Sequence, residues 1–112
     1  MFDILKKTLK TGTVTTKYPG VPDVAPPGFR GKPELISDKC TYCGECAEVC
    51  PSGVIWLDEE KGVRKLMLSY CGCIFCGRCE EACSYQAIRL THEYEIASKT
   101  KDDLLTSISR KL

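Results

Sequence analysis

Eight of the nine cysteines of this 112-residue chain fall into two runs of one spacing, Cys40-x-x-Cys43-x-x-Cys46-x-x-x-Cys50-Pro51 and Cys73-x-x-Cys76-x-x-Cys79-x-x-x-Cys83-Ser84. Three thiolates in a tight triplet with a fourth farther on can wrap only one side of a cubane of four irons and four sulfides, so a ligand must come from elsewhere. In the bacterial-type run that ligand is supplied by the other half. The expected sets are Cys40, Cys43, Cys46 and Cys83 around a first [4Fe-4S] cluster, and Cys73, Cys76, Cys79 and Cys50 around a second. Cluster binding and folding then become one event, because neither half completes its site alone.

Zinc is the rival metal, since Cys-x-x-Cys pairs also build tetrahedral thiolate sites, but zinc spacing separates two pairs by a longer loop. Disulfides are the other use of so many cysteines, and the tight spacings argue against them. Cys71 stands where the first half has Asp38 and is expected to be a small packed hydrophobe. Ser84 replaces the proline of the first run and is expected to admit water or an added hydrogen bond. His92, the single histidine, is expected at the surface. No catalytic triad, phosphate loop or dinucleotide fingerprint is present, so the chain is not expected to carry out substrate chemistry alone.

The elements that hold the cysteines are duplicated as well. Aligning 40–57 with 73–90, an offset of 33 residues, gives eight identities in eighteen positions, including Gly44/Gly77, Glu48/Glu81, Ile55/Ile88 and Leu57/Leu90. The whole supersecondary unit is repeated, and the fold expected is α+β with two related halves. Each half reads as a cysteine loop, a short helix and strands: Leu35 to Ser37, a helix in Gly44 to Cys50 stopped by Pro51, Val54 to Leu57, a turn at Asp58 to Gly62, Val63 to Leu68, then Ala87 to Leu90. Gly44 and Gly77 let the chain pass close to a cluster, where amides could reach its sulfurs. Thr41, Tyr42, Ile74, Phe75, Val54, Ile55, Ala87 and Ile88 are the residues expected to keep water away.

Five of six prolines precede residue 35, which divides the chain into an arm over 1–34, a cluster core over 35–91 and a tail over 92–112. Phe2, Leu5 and Leu9 share one helical face opposite Lys6, Lys7 and Lys10, giving a short amphipathic helix, and Thr11 to Pro33 is expected to run extended. In the tail, Thr100 and Asp103 read as a capping box before Leu104, Leu105, Ile108 and Leu112 on one helical face. The arm carries six basic and three acidic residues, the core six and eight, the tail four and four. A net charge of +1 gives no reason to expect nucleic acid. No stretch is apolar enough to span a bilayer and no signal peptide is evident, so the chain is expected in the cytoplasm. Ordering the arm costs about 1 to 2 kcal/mol per residue, more than its few apolar groups recover from a tiny core, so it is expected either to stay disordered or to dock elsewhere, a subunit complex explaining both the arm and the tail.

Beyond the cysteines, Tyr18-Pro19, Gly28-Phe29-Arg30-Gly31-Lys32, Ile74-Phe75-Cys76-Gly77, Glu93-Tyr94-Glu95-Ile96-Ala97-Ser98 and Asp102-Asp103-Leu104-Leu105 resemble the two-cluster ferredoxin-like subunit shared by respiratory complex I, formate hydrogenlyase and energy-converting nickel-iron hydrogenases. The resemblance implies a ferredoxin-like, pseudo-two-fold core with two [4Fe-4S] clusters, an extended N-terminal arm and a C-terminal helix. It implies an electron wire seated peripherally on the cytoplasmic side of the cell membrane, beside a hydrogenase-like small subunit and membrane subunits. Only 22 residues separate Cys50 from Cys73, shorter than in complex I relatives, which favours the hydrogenase branch. A stand-alone soluble ferredoxin is the alternative, and a structural cluster or zinc module the third reading.

Overall fold

The 33-residue repeat reappears in the backbone of the computed structural model, which describes residues 1–111. Each cysteine loop passes an aromatic residue through the left-handed region, Tyr42 at φ 59° and Phe75 at φ 56°. Each then reaches a glycine in the same region, Gly44 at φ 83° and Gly77 at φ 80°. These glycines cap two five-residue helices, α2 at Glu45–Val49 and α3 at Arg78–Ala82. Helices so short are not stable alone, and α2 and α3 rest against one another. Both give way to extended backbone at the fourth cysteine, Cys50 and Cys83.

The strands repeat with the same offset. The first half begins with β1, Pro33–Leu35, and continues after α2 with β2, Ile55–Glu60. The second begins with β3, Val63–Ser69, and continues after α3 with β4, Ile88–Leu90. β1 pairs antiparallel with β4 through Pro33↔Leu90 and Leu35↔Ile88. Moving each partner by 33 residues gives Leu66↔Leu57 and Leu68↔Ile55, and both are partners in the antiparallel β2–β3 hairpin. The core lies between these ladders: Leu66 and Leu68 are each 1% exposed, and Ile55, Ala87, Ile88, Tyr42, Cys40 and Cys46 complete it.

Two expectations about elements are corrected. The turn expected over Asp58 to Gly62 is only Lys61–Gly62, both at positive φ, the two-residue geometry that suits a right-twisted hairpin. Asp58, Glu59 and Glu60 instead finish β2, an edge strand whose exposed charges discourage further pairing. The expected C-terminal helix is a strand, β5 at Leu105–Lys111, paired antiparallel with β3. Only Asp102–Leu104 makes a helical turn, of 3-10 type, and there Ser98 Oγ donates to the Asp103 carboxylate at 2.7 Å. The strand wins because β3 would otherwise leave a ladder edge open over the core. Thr106 and Ile108 alternate inward opposite Leu68 and Leu66, while Leu105 turns outward, so the apolar spacing that suggested one helical face is split between two faces of a sheet. Leu112, part of that expected stripe, lies outside the described residues.

The arm begins with α1, Phe2–Thr11, the amphipathic helix expected, which buries none of its residues. No regular element follows until β1, yet the chain is anchored. Tyr18 donates its hydroxyl to Glu95 at 2.6 Å, Tyr94 donates to the Asp23 carbonyl at 2.8 Å, and Phe29 meets the Tyr94 ring edge-on. Gly31 and Lys32 extend the β1–β4 ladder by donating to Thr91 and Glu93. A Cβ on Gly31 would fall against the carbonyls of both, 2.5 Å from that of Thr91, so only glycine fits. Arm, core and tail are therefore tied together across residues 34 and 91. Among the described residues no helix is long and apolar enough to cross a membrane.

Candidate metal centres

Two recesses open where the cysteine loops face the strands of the opposite half. The first is lined by Cys40, Cys43 and Cys46 from the first loop and by Cys83 from the end of α3, with Tyr42, Leu66, Ala87 and Ile88 forming apolar wall. The second is lined by Cys73, Cys76 and Cys79 from the second loop and by Cys50 from the end of α2, walled by Val54, Ile55, Leu68, Phe75 and Leu90. Each recess is partly open to solvent. Of the residues expected to exclude water, Tyr42, Ile55, Ala87 and Ile88 are buried. Thr41 and Ile74 are exposed at the rims.

Burial penalises ionised sulfur here. Desolvation pushes the Cys46 and Cys79 thiols up to about 11, and raises Cys40 and Cys73 as well. Neighbouring thiolates add to the rise: Cys83 acts on Cys40, and Cys50 acts on Cys73, each across the halves. Cys79 is also felt at Cys46, so the two recesses are close enough for charge in one to bear on the other. At Cys40 the Tyr42 amide pulls the other way, donating to Sγ at 3.4 Å. Ala87 N donates to Cys83 Sγ at 3.2 Å.

Thiols held in this way need bound cationic metal to ionise, and soft thiolate donors suit iron-sulfur clusters, zinc or cuprous ion. Among the described residues no three His, Cys, Asp or Glu side chains converge on one ion position. Four thiols around each recess match the ligand demand of a polynuclear cluster. The donor sets fit a [4Fe-4S] group in each recess.

The sequence assigned Cys71 to packing, and that is corrected: its thiol is exposed in the turn following β3. The chain is tight at the next residue, where a Cβ on Gly72 would lie 2.7 Å from Val54 Cγ1, and Cys71 projects outward. Ser84 and His92 are both exposed, the latter as expected. Sequence reasoning missed the amides of Tyr42 and Ala87 as sulfur donors. It also missed Arg30, whose Nη1 donates to the Cys76 carbonyl at 3.0 Å.

Comparison with known proteins agrees with this chemistry. Two 4Fe-4S binding domain families match, over residues 33–56 and 73–87. Formate hydrogenlyase subunit 6 of Escherichia coli (strain K12) is 43% identical over 107 residues, 94% of this chain and 59% of that protein. NADH-quinone oxidoreductase subunit I of Carboxydothermus hydrogenoformans is 40% identical over 63 residues, 54% of this chain and 45% of that one. This chain thus matches two 4Fe-4S binding domain families and is similar in sequence to those subunits. It spans about half the length of these curated relatives, between 45% and 59%. Among solved structures, a chain of the membrane-bound sulfane sulfur reductase, an archaeal respiratory membrane complex, superposes with a TM-score of 0.69 at 23% identity. That match covers 90% of this chain and 56% of the other and shows a shared fold.

Proposed function

We propose that this protein is an electron-relay subunit of a membrane-associated, hydrogenase-type oxidoreductase complex related to complex I. The observation that carries the reading is the pair of neighbouring recesses, each lined by four cysteines, in a chain 43% identical to formate hydrogenlyase subunit 6 along 94% of its length. Cys40, Cys43, Cys46 and Cys83 hold one [4Fe-4S] group, and Cys73, Cys76, Cys79 and Cys50 the other, in halves related by a pseudo-two-fold. Each group, when bound, takes up and releases single electrons.

The protein's own residues do the rest. Apolar walls from both halves exclude water, α2 and α3 bring the two sites together, and amides on Cys40 and Cys83 stabilise negative sulfur. The arm over 1–34 and the tail over 92–112 serve as docking segments for a hydrogenase-like small subunit and membrane subunits, on the cytoplasmic face of the membrane. An α1 with Phe2 87%, Ile4 71% and Leu9 77% exposed favours this over a free-standing ferredoxin, which has no need of an unpartnered apolar helix. Purification from native membranes tests the proposal. Co-isolation with hydrophobic subunits and a hydrogenase-like subunit is expected, and recovery as a free monomer in the soluble fraction would contradict it.

A further inference from the structure

The duplicated halves differ in one contact that the repeat does not explain. Arg30, from the arm, donates from Nη1 to the carbonyl oxygen of Cys76 at 3.0 Å. Its Cδ and Nε both pass 3.8 Å from where a Cβ on Gly77 would stand, so the side chain lies along the second cysteine loop. The position equivalent to Arg30 by the 33-residue offset is Val63, at the start of β3. Among the described residues no cation donates to a carbonyl of Cys40, Cys43 or Cys46. Arg64, Arg110 and Lys111 line a recess beside Thr41 and Tyr42 of the first loop, without donating to a cysteine carbonyl there.

The placement of Arg30 is enforced. Gly31 N donates to Thr91 O at 2.9 Å and Lys32 N to Glu93 O at 2.7 Å, and Gly31 sits where no larger residue fits. The ladder that welds arm to tail therefore delivers a positive charge directly onto a carbonyl of the second loop. Arginine stays protonated throughout the accessible pH range, so this charge is constant.

Adding an electron makes a thiolate-bound site more negative by one charge, and a nearby cation stabilises the more negative form. We propose that Arg30 is a positioning residue for electron transfer, holding the reduction potential of the second site above the value its loop alone would give. The inference rests on the two-cluster reading above and adds an inequality between the sites.

The test is an anaerobic potentiometric titration, followed by paramagnetic resonance, of the intact cluster-loaded chain and of Arg30→Gln, Arg30→Lys and Lys10→Gln. Arg30→Gln is expected to lower one of the two midpoint potentials and leave the other in place. Arg30→Lys should recover part of the shift, and Lys10→Gln, which removes the same charge from α1, should move neither. No shift in Arg30→Gln, or an equal shift of both potentials, overturns the proposal while leaving two-cluster binding intact. Should Arg30→Gln fail to load, Arg30→Met on the same full chain carries the test, removing the charge while keeping a long side chain along the loop. One midpoint is then expected to fall more than the other, and equal falls overturn the proposal. Iron well below about eight per unaltered chain contradicts the two-cluster reading itself, and the inequality with it.

Discussion

Tyr42 and Phe75 occupy the same step of the repeat, both at positive φ, and differ by one oxygen. The Tyr42 hydroxyl is buried without a hydrogen-bond partner, and burial pushes its pKa up. Leaving such a group unpaired costs about 1 to 3 kcal/mol, so Tyr42→Phe, which copies the second half, is expected to stabilise the cluster-loaded protein by about 1 kcal/mol in thermal melts. A loss of stability would mean that the hydroxyl finds a hydrogen-bond partner within the loaded protein. The cysteine exchange between halves also belongs to this scale. If ligation is crossed, Cys83→Ala and Cys40→Ala disable the same site and leave proteins with the same residual midpoint potential, while Cys50→Ala and Cys73→Ala share the other. Matching of Cys83→Ala with Cys73→Ala would show that each half binds its own cluster. The eight ligand positions could be read from spacing because three thiols in a tight loop leave a cubane one ligand short. The sulfur-bonding amides of Tyr42 and Ala87 and the Arg30 contact could not, since backbone donors carry no residue signature and Arg30 reaches Cys76 across 46 residues.

Strands and helices were readable where a local signal agreed with its neighbours. Gly44 and Gly77 start α2 and α3, Pro51 follows the first, and the β-branched run at Val54 to Leu57 becomes the first part of β2. The tail failed because Leu104, Leu105 and Ile108 fit helical spacing, whereas in the strand Leu105 and Ile108 fall on opposite faces. The deciding influence was the open edge of β3, which no sequence window contains. That choice has an energetic signature. Ile108 packs inward against the Leu66 row, and Ile108→Ala is expected to cost about 2 kcal/mol. Leu105 faces outward at 38% exposure, and Leu105→Ala should change stability by less than about 0.5 kcal/mol. Equal losses from the two in thermal melts would restore a single apolar face and contradict the strand.

At the scale of the whole molecule, the protein measures 71 × 30 × 23 Å, far longer than its two-recess core requires. Its longest dimension is consistent with an arm that keeps α1 away from the core and with the apolar face of that helix unburied. The composition change near residue 34 announced the arm, but the clasp of Tyr18, Asp23 and Phe29 onto the tail depends on pairings some 65 to 77 residues apart. Such contacts are set by the folded core, and the core has little besides its metal to hold it. Small domains with few buried side chains are marginal, and Cys40, Cys46, Cys73 and Cys79 are costly to ionise without cations. Iron and acid-labile sulfide, counted per chain in an anaerobic preparation of full occupancy, therefore measure the central premise directly. Two cubanes held between the halves require about eight of each, lost together when a chelator unfolds the core. A fully occupied chain with about four irons or fewer, or with zinc in their place, would contradict it.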